Sequence, residues 1–247
     1  MSGVAEQAPG PLLRVEGLSK RFGERTALHE VSFELGAGEL VAVVGPNGAG
    51  KTTLLSILAG VQSADAGTVG GLAARGPREV GWAPQQAAVY ARLTVRENLR
   101  LFARLERVGD PAAAVALMLE QTGLAPRAED RVESLSGGNR QRVNVALGLL
   151  ADPLVLALDE PTSALDPGQR ARLWDFVRTL AARGKGVLFS THHLGEVRRY
   201  ASRAVVLADG EVLFDGPPAE LLLLPEAQGA EDLEGAFLEL LRARGHA

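Results

Sequence analysis

The sequence predicts an α/β protein, with a core of mostly parallel strands flanked by helices and a helical segment inserted into it. Three observations carry this. The apolar runs ELVAVV (39–44), LVLAL (154–158) and GVLFST (186–191) are continuous rather than alternating, the pattern of strands buried on both faces. A glycine-rich loop, GPNGAGKT (45–52), joins the first of these runs to a helical pattern. Residues 93–123 carry helical signals alone.

Taken in order, the opening MSGVAEQAPG has neither a charged start nor an apolar stretch, so residues 1–10 are expected to be a loose tail on a protein that stays in the cytosol. LLRVEGL and HEVSFEL alternate as half-buried strands do, and ELVAVV follows as a central strand. KTTLLSILAG is a helix that Gly60 can cap at its end. Thr94 and Glu97 have the spacing of a capping box ahead of ENLRLFARLER, and Asp110 with Pro111 starts a second helix running to Gly123. LVLALDE is the next buried strand, and Asp166 with Pro167 opens a helix that stops at Gly184. AVVLADGEVLF is a hairpin turning on Asp209 and Gly210. In DLEGAFLELLRAR, Leu233, Phe237, Leu240 and Leu241 recur at helical spacing, so residues 221–247 form a helical extension packed on the domain or, alternatively, facing a partner.

A chain of 247 residues with 46% hydrophobic content can bury one large core. A net charge of -4 gives no basic surplus for phosphate-backbone binding, so nucleic acid is not an expected partner. The absence of cysteine excludes disulfides and thiolate metal sites. No apolar run approaches the roughly 20 residues of a membrane-spanning helix; LLLL at 221–224 is core-sized.

Gly45, Gly50, Lys51 and Thr52 match the phosphate-loop pattern G-x-x-x-x-G-K-[ST]. Its glycines let backbone N–H groups surround phosphates, its lysine reaches the outer phosphates, and its hydroxyl ligates magnesium. The core is therefore expected to be of the P-loop NTPase kind. Asp159 and Glu160 end the LVLAL strand, where one carboxylate can hold magnesium through water and the other can polarise an attacking water. His192 follows another buried strand and can reach a γ-phosphate, although a lone histidine also serves as a structural side chain. Gln85 in GWAPQQ is, by itself, an anonymous polar loop residue. In LSGGNRQRV (135–143), Ser136 can cap a helix whose first N–H groups at Gly137 and Gly138 form a second anion grip; a capped helix without a ligand explains these residues as well.

In this order the pieces resemble the ATP-binding subunits of ABC transporters, over about residues 12–220. GPNGAGKT looks like the Walker A loop, LVLALDE the Walker B strand, LSGGNRQRV the signature motif, SALD (163–166) the D-loop and STHH (190–193) the switch region. Gln85 falls at the Q-loop glutamine, and Phe22 at the aromatic that stacks on adenine. The resemblance implies an antiparallel β-subdomain at the N-terminus and a helical subdomain, about residues 90–140, inserted within an ATPase domain of residues 11–220.

It further implies that two subunits pair head to tail, with ATP as the glue of the interface: ATP bound through Gly45, Pro46, Asn47, Gly48, Ala49, Gly50, Lys51, Thr52 and Thr53 of one is completed by Leu135, Ser136, Gly137, Gly138 and Asn139 of the other. Glu160 is then the general base with His192 and Gln85 as catalytic partners. Thr52, Gln85 and Asp159 contact magnesium, and Asp166 couples the two sites. The implied cofactors are ATP and Mg2+. The implied partners are a second ATP-binding subunit, with a homodimer expected on ATP, and integral membrane permease chains that hold the protein on the inner face of the cell membrane. LTVRENLRLFARL and DLEGAFLELL are most similar to the drug, antibiotic and lipid exporter branch.

Two departures stand out. The segment GTVGGLAARGPREVG is short for the family, which implies a trimmed antiparallel subdomain and weaker support for Phe22. Asn139 replaces the commoner glutamine. The competing readings are a soluble ATPase of the same type acting on nucleic acid or ribosomes, and a nucleotide-binding regulator that does not hydrolyse; Glu160 and His192 speak against the latter.

Overall fold

Two sheets and seven helices are built from the described residues, 10–75 and 79–246, of a computed structural model. Residues 1–9 of the expected tail, and residues 76–78 of the short segment before Gln85, lie outside them. The first sheet is antiparallel, with β1 (Leu13–Phe22) between β2 (Arg25–Leu35) and β4 (Ala66–Gly70). β4 has five residues against ten and eleven in its neighbours. Alternation in β1 buries Leu13 and Val15 and leaves Arg14 and Glu16 outside, and a register shift after Val15 turns Leu18 inward.

The second sheet has the order β5-β6-β7-β3-β8-β9, with β5 (Val80–Ala83), β6 (Val155–Asp159), β7 (Gly186–Thr191), β3 (Leu40–Val44), β8 (Arg203–Ala208) and β9 (Glu211–Gly216). All neighbours are parallel except the β8–β9 hairpin, which turns at Asp209 and Gly210. The apolar runs become its central strands because both faces are covered, one by helices and the other by α1 together with β1 and β2: every residue of β3, β6 and β7 is buried. The C-terminal ends of β3, β6 and β7 lie side by side, which brings the phosphate loop, Asp159 with Glu160, and His192 to one edge.

α1 (Lys51–Leu58) leaves the phosphate loop and ends as expected at Gly60, whose N–H bonds the carbonyl of Ile57 at 2.9 Å while Val61 N–H bonds that of Ser56 at 2.9 Å. The inserted helices are α2 (Val95–Leu105) and α3 (Pro111–Gln121), followed by α4 (Gly137–Leu149), which runs back to pack on β5. Thr94 and Glu97 form both bonds of the capping box. The buried amide of Asn98 accepts from Tyr90 N–H at 2.8 Å and donates to the carbonyls of Tyr90 and Thr94 at 3.0 Å each, fixing the loop ahead of α2.

α5 (Pro167–Ala182) and α6 (Leu194–Tyr200) flank the sheet. α7 (Leu233–Ala243) packs on α6 and on the turns of residues 218–227, adding Leu233, Ala236 and Leu240 to the main core. The division drawn at residues 220 and 221 falls inside the short 3-10 helix Pro218–Leu223. Of the LLLL run, that turn buries Leu221 and leaves Leu223 79% exposed, because a 3-10 turn presents only one residue in three to the core.

Candidate functional site

The sharp turn out of β3 demands its glycines. A Cβ on Gly45 would run into the carbonyl of Leu207, and Gly50, at φ +106°, both adopts a left-handed conformation and abuts the carbonyl of Ala27. Arg25 Nη2 donates to Gly48 O at 2.9 Å, and Gly210 N–H to Ala49 O at 3.1 Å, so the antiparallel sheet and the β8–β9 turn each hold the loop. Lys51 is buried beneath it, its ammonium donating to the carbonyls of Gly45 at 2.7 Å and Pro46 at 3.0 Å. Burial draws its pKa below the usual lysine value, while the charges of Glu160 and Asp159 oppose the shift.

A cleft of about 700 Å³ opens over this loop. It brings together Phe22, Gly45, Pro46, Asn47, Gly48, Gly50, Lys51, Thr52, Thr53, Gln85, Glu160 and His192. Ala49 is buried within the loop. Phe22 ends β1 with half its surface exposed and with Lys20 Nζ 5.6 Å from the centre of its ring.

Glu160 and His192 meet across the tips of β6 and β7, with His192 Nδ1 3.0 Å from Glu160 Oε2. With Glu160 ionised, Nδ1 carries the shared hydrogen. Ser190 aligns both acids at once: its hydroxyl donates to Asp159 Oδ1 at 2.6 Å and accepts the Glu160 N–H at 2.9 Å. Asp159 is buried, beside the cleft rather than lining it. Glu160 itself stands at φ +44°, a left-handed conformation that costs a residue with a side chain on the order of 1 kcal/mol or more.

Leu135, Ser136, Gly137, Gly138 and Asn139 are not in this cleft. They start α4, where the Ser136 hydroxyl accepts the Asn139 N–H at 3.4 Å and Gly138 packs against the Gln169 side chain of α5. Asp166 is likewise outside the cleft; its carboxylate caps α5 by accepting the Gln169 N–H at 2.8 Å.

Several side chains at the site carried no sequence signal. Arg25 opens β2 just after a polar turn, and Phe237 reaches the cleft from α7, distant in sequence. Asn144 of α4 donates to Pro84 O at 2.6 Å, tying the helix that begins at Ser136 to the segment carrying Gln85. Ser190 was open to detection, as one of two polar residues that end an otherwise apolar buried strand.

The sequence profile of ABC transporters matches residues 28–163. The chain belongs to the ABC transporter family. Within that family, the Nod factor export ATP-binding protein I of Ralstonia nicotianae is 41% identical, over 88% of this chain and 72% of its own length. A daunorubicin resistance ATP-binding protein of Streptomyces coeruleorubidus is also 41% identical, over 85% and 68%. The solved dimeric structure of an ATP-binding cassette in a post-hydrolysis state, bound to ADP and phosphate, superposes with a TM-score of 0.74 at 27% identity, over 83% of this chain and 98% of that one. This ABC protein is therefore a nucleotide-binding ATPase subunit with the α/β fold of the P-loop cassettes.

Proposed function

We propose that this chain powers export: two copies close head to tail around two ATP molecules and drive separate membrane-spanning permease chains. The observation that supports it most is the division of the phosphate grips. Lys51, Gln85, Glu160 and His192 share one cleft, whereas the α4 N-terminus at Ser136 opens elsewhere and is free to complete the cleft of another copy.

In this reading the backbone of residues 45–50 and the side chains of Lys51, Thr52 and Thr53 hold the phosphates, and Phe22 stacks on adenine. Glu160 accepts a proton from water as the water oxygen bonds to the γ-phosphorus and the bond to the ADP oxygen breaks. His192, bonded to Glu160, fixes the direction of that carboxylate, and Ser136 and Gly138 of the second copy bind the γ-phosphate. Asp166 of α5 couples the two sites.

Magnesium fits the donors present. Thr52 and Gln85 offer neutral oxygens in the cleft, and Asp159 offers a buried carboxylate beside it. Among the described residues no cluster of three or more acidic or imidazole side chains forms a cage, which suits a small cation that keeps water and phosphate oxygens as ligands. When bound, the ion offsets phosphate charge.

A second cavity, of about 280 Å³, lies between the core and the inserted helices and is lined by Val61, Trp82, Ala88, Phe102 and Leu147. Exposed Val61 is 60% accessible there, and this groove receives the permease. Among the described residues no helix is long and apolar enough to cross a membrane, so membrane attachment runs through the permease. The names of the export and drug-resistance relatives support export, and with the acidic net charge they favour it over action on nucleic acid or ribosomes.

Phosphate release by purified protein tests the chemistry. Glu160→Gln is expected to lower turnover on the order of a hundredfold or more while leaving binding of a fluorescent ATP analogue intact. Unchanged turnover contradicts the assignment of the base.

A further inference from the structure

Behind the Glu160–His192 pair lies a second carboxylate, Glu196, only 4% exposed on the first turns of α6. Its Oε1 accepts the Thr162 hydroxyl at 2.7 Å, and its Oε2 accepts the Thr191 hydroxyl at 3.1 Å. Arg170 Nε of α5 stands 3.4 Å from Oε1 and is itself buried without a hydrogen bond. A buried carboxylate is retained where its partners satisfy it, and these three come from three different parts of the site. Thr162 is two residues after Glu160, Thr191 is the residue before His192, and Arg170 lies one turn into the helix that Asp166 caps.

We infer that Glu196 is a positioning residue for hydrolysis, a clamp that holds the turn after Glu160 and the end of β7 in the register that makes the carboxylate and imidazole meet. The left-handed Glu160 backbone persists only where its surroundings over-determine it. Ser190 holds that turn at the Glu160 N–H, and Ser163 donates from its hydroxyl to the Glu160 carbonyl at 3.1 Å. Glu196 supplies the remaining hold, through Thr162, and joins it to the strand that carries His192. Since Arg170 belongs to α5, the same carboxylate ties the position of the 163–166 segment to the catalytic pair. Neither Thr162, Thr191 nor Glu196 lines the nucleotide cleft, so the clamp acts on the chemical step and not on nucleotide affinity. The inference rests on Glu160 being the base.

Steady-state ATP turnover and nucleotide affinity, measured together, test it. Glu196→Ala is expected to lower kcat on the order of tenfold to a hundredfold, as a small misplacement of a catalytic group does, with affinity for a fluorescent ATP analogue unchanged. Glu196→Gln keeps shape and one acceptor, and threonine hydroxyls can accept from its amide, so it restores most of the lost kcat. Thr162→Val, which preserves side-chain volume, shows the same split at smaller size and carries the test alone where the alanine variant does not fold. Wild-type kcat in Thr162→Val together with wild-type kcat in any folded Glu196→Ala overturns the clamp, as does an equal loss of kcat and affinity. Glu160→Gln run alongside keeps the two claims apart: full turnover in that variant refutes the base, whereas its loss beside normal Glu196 and Thr162 variants refutes the clamp alone.

Discussion

In the proposed function Lys51 meets phosphate, and its surroundings disfavour its charge until it does. Its ammonium is desolvated, partly compensated by Glu160 and Asp159, and among the described residues bonded only to carbonyls of its own loop. Burial disfavours the charged form, so the free protein starts to release this proton at lower pH than an ordinary lysine; bound phosphate favours the charged form and holds it. In the alkaline range ATP binding is therefore coupled to proton uptake, and affinity falls as pH rises. Calorimetry in two buffers of different ionisation enthalpy checks this, and an affinity that stays flat up to the ordinary lysine pKa of about 10.4 contradicts it. At this scale the sequence was informative where chemistry dictates residue type at fixed spacing, as in residues 45–52. It was silent on Arg25 and Glu196, whose roles arise from tertiary neighbours and not from any local pattern.

Among the elements, α2 shows how far local signals reach. Its start was legible because Thr94 and Glu97 satisfy two backbone donors within four residues. Thr94→Ala is expected to cost about 1 kcal/mol and to lower Tm by about 2–4 °C, with ATP affinity unchanged; thermal unfolding followed by circular dichroism measures it, and an unchanged Tm contradicts the capping role. The strands of the parallel sheet were legible for a related reason, since burial on both faces leaves a continuous apolar run. Their order was not, because β3 pairs with β7 and β8 across most of the chain. The LLLL run has no period, so its hydrophobicity did not say that Leu221 would be buried and Leu223 exposed.

For the whole molecule, the arrangement makes sense as half of a larger machine. The cleft gathers the loop, Gln85 and the Glu160–His192 pair, yet Ser136 and Gly138 are presented on another surface. Asn144 links the helix beginning at Ser136 to the segment of Gln85, and Glu196 links Thr162, just after Glu160, to Thr191, just before His192. Closure of two copies on ATP would thus be felt at both the groove proposed for the permease and the hydrolytic pair, which is what a transport cycle driven by differential binding requires. The most direct test is the mass in solution of Glu160→Gln, by size exclusion with light scattering, with and without magnesium and ATP, repeated with Ser136→Arg added. The account predicts a dimer with ATP that the second substitution abolishes; a dimer that forms equally well with Ser136→Arg contradicts it.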